Sequence, residues 1–219
     1  MTKNLRLNIE TANITMENTN NPTAGFVEDV ANDTKNVANN GGWCGWFSAD
    51  CADRIQYNTA NIGNGTTDSL GHTYDEYGVY YNWYTATAGN GTYAISTSGQ
   101  SVDVSGDICP LGWHLPTLKT NGGELNKLVE SIGTNVDVFA SPANLVLSGM
   151  KYYGDSPELS SLGSTGYYWS STSYNSSNPL ANYLAVNYYQ SSNPPVIFNP
   201  NVYGYYKVMS GYSVRCIAN

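Results

Sequence analysis

The sequence predicts an α+β fold: a small antiparallel sheet, two short helices and long loops, in one domain spanning residues 1–219. Three observations lead there. Charged residues make up only 12% of the 219 residues, about half the usual share, while the chain holds 22 Gly and 19 Tyr. One segment, near Glu124–Ile132, carries clear helical periodicity. From Leu145 onward that periodicity is gone, and short apolar pieces alternate with Asn, Ser, Pro and Gly, the pattern of strands joined by turns. Helical signals early and a strand-rich second half read as α+β. A hydrophobic content of 41% suffices for a sizeable core.

Taken in order, Asn8–Asn40 is polar and weakly patterned, a loop region with Phe26, Val27 and Val30 as its anchors. Gly41–Phe47 (GGWCGWF) is an aromatic knot, and Asn58–Asp75 is a second loop region with Gly63, Gly65 and Gly71. In Tyr74–Thr87 the residues Tyr77, Tyr80, Tyr81 and Tyr84 recur at helical spacing, which predicts a short amphipathic helix or a helical turn with an aromatic core face, weakened by Gly78. Gly89–Gly106 reads as a loop flanked by short strands carrying Tyr93, Ile95, Val102 and Val104. The main helix is expected to be capped by Thr120 or Asn121, with Glu124 in its first turn. Leu125, Leu128, Val129 and Ile132 trace its apolar face, and Gly133 ends it. The expected strands lie at Leu145–Leu147, Leu184–Val186, Val196–Phe198 and Val214–Ile217.

The formal charge of −8 and the lack of a Lys/Arg stripe exclude a nucleic-acid partner, because nothing would neutralise phosphates. The acidic residues form no cluster, so they serve solubility. No apolar run reaches membrane-span length, and direct membrane insertion is not expected. The opening MTKNLRLNIE has a Lys and an Arg with no apolar stretch behind them, so it is not a signal peptide; an export address is expected from elsewhere, or from a longer precursor. Four cysteines fall into a close set, Cys44 and Cys51, and a distant set, Cys109 and Cys216. Neither has the CxxC spacing of a zinc or thioredoxin site. An even count in a low-charge chain points to disulfides and an oxidising compartment, extracellular or at the cell surface. Of three possible pairings, Cys44–Cys51 with Cys109–Cys216 is favoured; four buried free thiols is the alternative.

Five phrases then stand out in order: YGVYYNWYTATAG (Tyr77–Gly89), ICPLGWHLPT (Ile108–Thr117), LSGMKYYG (Leu147–Gly154), GYYWSSTS (Gly166–Ser173) and GYSVRCI (Gly211–Ile217). Together they resemble the Fibrobacter succinogenes major paralogous domain. MTKNLRL looks like that family's early motif, which implies a first strand missing upstream of Met1. The family resembles the C-type-lectin and formylglycine-generating-enzyme folds, in which the chain ends lie together and a small sheet supports a loop-rich ligand face. That resemblance implies a Cys109–Cys216 bridge. The same fold includes the variable proteins of diversity-generating retroelements, whose C-terminal codons are rewritten at adenines; Asn codons so rewritten yield Tyr, Ser and Asp without stops. About half the residues from Tyr152 to Tyr212 are Tyr, Asn or Ser, so residues 167–212 look like such a variable region.

The candidate ligand-binding residues are Tyr174, Asn175, Asn178, Tyr183, Asn187 and Tyr189, then Asn199, Asn201, Tyr203, Tyr205 and Tyr206. Around Asn182–Tyr189 the residues Leu184 and Val186 are expected to face the core, and alternation then turns Tyr183, Asn187 and Tyr189 outward. Tyr supplies rigid contact area at low entropic cost and Asn adaptable hydrogen bonds, the mixture used by antibody paratopes. The expected partner is a protein or glycan ligand on another cell, or a phage receptor. A constant adhesin or carbohydrate-binding module is the alternative.

Catalysis is not expected. Trp113, His114 and Trp169 read as core, and Ser170 and Ser171 lack a GxSxG elbow. Asp103 and Asp107 flank a turn without the carboxylate spacing of a calcium loop, and read as solvated acids. The Glu-Pro-Asn, Gln-Pro-Asp and Trp-Asn-Asp triplets of calcium-dependent lectins are missing, and Asn-Pro pairs at Asn178 and Asn193 do not replace them. Neither metal nor cofactor is therefore expected. A formylglycine-generating type of oxidase is the weakest reading: Cys44 and Cys51 have no adjacent Lys or His to lower a thiol pKa, and Arg54 is the nearest cation.

Overall fold

The computed structural model describes residues 4–5, 56–57, 70, 80–81, 83–87, 101–104, 106–120, 122–134, 136–139, 143–152, 159–175, 179–206 and 210–219. Its elements begin with β1 (Gln56–Tyr57), β2 (Tyr80–Tyr81), a four-residue helix α1 (Trp83–Ala86), β3 (Val102–Asp103), β4 (Trp113–His114) and helix α2 (Glu124–Ile132). A 3-10 turn at Val136–Phe139 leads to β5 (Met150–Tyr152), β6 (Leu159–Ser160) and three long strands. These are β7 (Thr165–Asn175), β8 (Pro179–Tyr188) and β9 (Val196–Tyr206); β10 (Ser210–Ser213) and β11 (Ile217–Ala218) follow. The polar stretch Asn8–Asn40, the aromatic knot, Cys44 and Cys51, and the loop Asn58–Asp75 apart from Leu70 lie outside the described residues, as do Tyr77, Tyr93 and Ile95.

The α+β expectation holds, but the sheet is not small. Among the described residues it runs β1-β2-β10-β7-β8-β9, with β3 on β7, β5 on β10 and β6 on β5; β4 and β11 form a separate ladder. Strands β7, β8 and β9 are 11, 10 and 11 residues long. Many Asn, Ser and Pro residues that read as turn punctuation in the sequence occupy strand positions instead, so only the strands' apolar centres were visible beforehand. Leu145–Leu147 is the reverse case: it is buried, but as irregular chain and not as a strand. Val214–Cys216 is likewise irregular, between β10 and β11.

Register divides the long strands into two faces. Tyr168 lies opposite Leu184 and Gly166 opposite Val186, while Val186 pairs with Phe198 and Tyr188 with Val196. Opposed residues share a face, and successive residues alternate. This first face is the core: Tyr168, Leu184, Val186 and Val196 are buried against Leu118, Leu125 and Phe139. Full burial of each such aliphatic side chain stabilises by about 1.5–3 kcal/mol. Gly166 is required here because a Cβ would collide with the Val146 carbonyl.

Helix α2 lays Leu125, Leu128, Val129 and Ile132 on that core, as its periodicity predicts. Gly133 stops it at φ 70°, donating its N–H to Val129 O at 3.2 Å. The start differs from expectation. Thr120 is exposed in a turn and does not cap; Asn121 lies outside the described residues. Gly123 holds the cap position without a side chain to offer, and Thr117 substitutes from seven residues upstream of Glu124. Glu124 N–H donates to Thr117 Oγ1 (3.1 Å), and Thr117 donates its N–H and hydroxyl to Glu124 Oε2, both at 3.0 Å. The exchange is that of a capping box with a longer loop between its partners.

Within Tyr74–Thr87, where a short helix or helical turn is expected, α1 at Trp83–Ala86 supplies one helical turn, but the expected tyrosine face is corrected. Tyr80 and Tyr81 form strand β2 and are both fully buried, so consecutive rings enter opposite sides of the sheet. Tyr80 donates its hydroxyl to Ser148 O, and the following Trp83 donates Nε1 to Ser170 O at 2.8 Å.

Among the described residues strand β9 is an edge, and its hydrogen bonding is legible. Tyr188 N–H donates to Ser164 O (3.0 Å) and Tyr189 N–H to Pro195 O (2.8 Å). By alternation Ile197, Asn199 and Asn201 turn their N–H groups toward β8, and Val196, Phe198 and position 200 turn theirs away. Position 200 is proline. The outward edge thus lacks a donor in its middle, a device that discourages strand addition.

Two ties hold the C-terminal segment. Cys109 and Cys216 form a disulfide across 107 positions. Arg215, 4% exposed, donates to Asn4 Oδ1 (3.1 Å), Ala143 O (3.1 Å) and Asn144 O (2.7 Å), and its guanidinium lies 5.9 Å from the Tyr168 ring centroid. Burial lowers its pKa against the attraction of Tyr168. Leu5 N–H donates to Val214 O, so the segment at Asn4–Leu5 docks on the same stretch.

Candidate functional site

The second face of β7–β8–β9 changes character along its length. Its inner end is an aromatic stack. Parallel pairing of β10 with β7 sets Ser213 opposite Tyr168 and brings Tyr212 beside the neighbouring rings. The Tyr212 ring centre lies 4.2 Å from Trp169, 5.0 Å from Tyr183 and 5.1 Å from Tyr167. Trp169 is fully buried and donates Nε1 to Tyr81 O at 2.7 Å.

Just beyond Trp169 the β7–β8 register shifts before Ser173, and the intervening residues Ser170–Thr172 knit neighbouring segments together. Ser170 Oγ donates to Asn182 O, Ser171 N–H donates to Pro116 O, and Thr172 Oγ1 donates to Asp103 Oδ1 while accepting from Leu118 N–H. The Ser170 and Thr172 hydroxyls and the Ser171 N–H are structural joints.

Toward the β8–β9 turn the same face opens. Thr165, Asn187 and Ile197 lie abreast, as do Tyr167, Ala185 and Asn199. Tyr189 is 49% exposed and Ile197 39%, while Asn199 is exposed and Tyr167 and Asn187 are half-buried. The Asn187 amide is oriented in advance: Oδ1 accepts from Thr165 Oγ1 (3.1 Å) and Nδ2 donates to Ile197 O (3.4 Å). None of these positions carries an Asp, Glu, Lys, Arg or His.

The expected face is therefore right in partition and wrong in extent. Leu184 and Val186 face the core, and Tyr183, Asn187 and Tyr189 share the other side. Tyr183, however, is only 9% exposed, because Tyr212, Trp169 and Tyr167 cover it. Alternation assigns a face but says nothing about what lies over it. Tyr174 is half-buried opposite Leu180, and Asn175 lies in β7 opposite Pro179. Asn201, Tyr203, Tyr205 and Tyr206 all lie in β9, with Asn201 opposite Tyr183, Tyr205 opposite Ala181 and Tyr206 opposite Leu180. Asn178 lies outside the described residues. Tyr167 and Ile197 join the open face without having been expected there. For Ile197 a signal existed: if Val196 and Phe198 face the core, the residue between them faces out.

The groups weighed for catalysis have structural partners. Asp107 is not a solvated loop acid: it is 3% exposed and accepts from Cys109 N–H (2.8 Å) and Leu115 N–H (3.0 Å). Asp103 pairs with Lys119 at 2.5 Å. Trp113 and His114 are half-buried in β4, outside the core expected for them. His114 Nδ1 meets Asn219 Oδ1 at 2.6 Å and Nε2 meets Glu124 Oε1 at 2.8 Å. Burial opposes the His114 charge, but these hydrogen bonds and the Glu124 carboxylate outweigh it and raise the pKa above 6.5. Burial likewise works against the Glu124 charge, and hydrogen bonds from Thr117 and His114 prevail, lowering its pKa below 4.5. Among the described residues no group of three or more His, Cys, Asp and Glu is placed to hold a metal ion, and no helix is long and apolar enough to cross a membrane.

No family model matches the chain, and searches of curated proteins and of solved structures find no match.

Proposed function

We propose that this chain is a non-catalytic recognition domain, and that it contacts its partner with the open end of the β7–β8–β9 face. The observation carrying this reading is the contrast along that one face. A buried ring stack fixes the strands at one end, and Tyr189, Ile197 and Asn199 stand exposed at the other. Exposed aromatic and aliphatic area with pre-oriented amides and no formal charge suits specific contact, since a few well-placed anchors carry most binding energy. The C-type-lectin-like fold, the display of a diversified surface and an extracellular or cell-surface setting belong to the same proposal. They rest on the five motifs in order, on the Tyr/Asn/Ser bias of residues 167–212 and on the Cys109–Cys216 bridge. The partner is a protein or glycan on another cell. The weaker oxidase reading turns on Cys44 and Cys51, which lie outside the described residues; Cys109 and Cys216 are buried and joined to each other, so neither of these offers it a thiol.

The test compares the parent with a Tyr189→Ser, Ile197→Ser, Asn199→Ser variant on a glycan array and on intact cells. Each exposed substitution is expected to change stability by no more than about 0.5 kcal/mol, so melting stays near that of the parent while binding is lost. A folded variant that binds as well as the parent overturns the assignment of the face.

A further inference from the structure

His114 is flanked on both ring nitrogens by oxygen atoms. Nδ1 lies 2.6 Å from Asn219 Oδ1 and Nε2 lies 2.8 Å from Glu124 Oε1. An amide oxygen and a carboxylate oxygen are acceptors only, so each contact needs a proton on the ring. A neutral imidazole carries one N–H and the imidazolium two. The arrangement as it stands is that of the cation.

The three residues come from separate elements. His114 ends β4, Glu124 opens α2 and Asn219 follows β11, which pairs with β4 through Ile217 opposite His114. The Asn219 N–H also donates to Gly112 O at 3.1 Å. From the segment before β4 the Asp107 carboxylate adds a further favourable charge, and Glu124 is held in turn by Thr117. We propose that His114 is a pH-sensitive latch: as a cation it fastens the β11 end to both β4 and the start of α2, and on losing its proton it can donate to only one of its two partners. Because Glu124 is the charged partner, the contact that yields is the one to Asn219.

The pH window follows from the two partners. His114 binds its proton more tightly folded than unfolded, so its contribution is complete below pH 6.5 and is lost as pH rises through the higher folded value. Glu124 is held ionised, so its contribution is complete above pH 4.5 and is lost as pH falls through the lower folded value. The latch is fully fastened between those limits.

The test is an NMR titration of the full chain. The chain has two histidines, and loss of one imidazole signal in His114→Gln assigns the other set to His72. The expected His114 midpoint lies above 6.5 in the parent and moves down in Glu124→Gln. Exchange of the Asn219 backbone amide, corrected for its intrinsic pH dependence, is expected to accelerate about tenfold across the same midpoint. That step should shift with the midpoint in Glu124→Gln and vanish in His114→Gln. A midpoint at or below 6.5 in the parent refutes the cationic geometry. Exchange that stays level through the His114 titration refutes the release, and shows that the Asn219 amide rotates to donate to the neutral ring. His72→Gln makes the same assignment by removing the other signal, so the parent titration decides both points even if His114→Gln fails to fold.

Discussion

Replacing Tyr183 by Ser separates the covered end of the candidate face from the open end. Tyr183 is 9% exposed, and its ring lies 5.0 Å from Tyr212, 6.0 Å from Tyr167 and 6.3 Å from Trp169. Truncating a buried aromatic side chain costs about 3–5 kcal/mol, including the cavity left behind. Three lost ring contacts, at about 0.5–1.5 kcal/mol each beyond area, favour the upper part of that range. For a domain of this size about 2–4 °C is lost per kcal/mol, so Tyr183→Ser should melt about 6–20 °C below the parent. Tyr189→Ser, at a position 49% exposed just beyond the end of β8, should move melting by less than about 2 °C. Paired thermal melts followed by circular dichroism, repeated as urea titrations, measure both. If Tyr183→Ser melts within about 2 °C of the parent, the stack does not secure the sheet and Tyr183 belongs with the displayed residues after all.

Two further substitutions probe other claims. Asp107→Ala strands the buried N–H groups of Cys109 and Leu115, and should cost about 2–5 kcal/mol in urea titrations; Asp107→Asn, which keeps one acceptor oxygen, should cost roughly half as much, and equal losses would contradict the two-bond account. Pro200→Thr restores a donor to the outward edge of β9, and should raise concentration-dependent self-association in sedimentation experiments with little change in melting; self-association equal to the parent's would show that another feature blunts that edge.

Where the sequence was informative, the signals were local. Leu125, Leu128, Val129, Ile132 and Gly133 lie within three turns, so α2 and its C-terminal end could be read directly. Leu184 and Val186 placed the core side of β8 because a strand has only two sides. The misreadings came from partners remote in sequence. Tyr183 is covered by Tyr212, which a parallel pairing brings from β10. Helix α2 is capped by Thr117 across a loop, where no fixed spacing rule looks. Tyr80 and Tyr81 matched a helical period yet sit in a strand, because each ring finds a buried place on its own side of the sheet. The strand lengths were hidden by residues whose usual roles are in turns.

The Cys109–Cys216 bond closes a covalent ring around β4–β10, and the tip between β8 and β9 lies within it. Cleavage of the exposed stretch Gln190–Pro194 would therefore leave two fragments still linked, migrating apart only after reduction. Rejoining the cut strands would be an intramolecular event, indifferent to protein concentration. The same geometry makes that tip a place where the chain tolerates being lengthened: an inserted segment enlarges a loop whose feet are already anchored in an antiparallel pair, and doubling a loop's length adds only about 0.6 kcal/mol of closure entropy. New sequence can thus be trialled at the edge of the open face while the ring keeps the rest of the domain together.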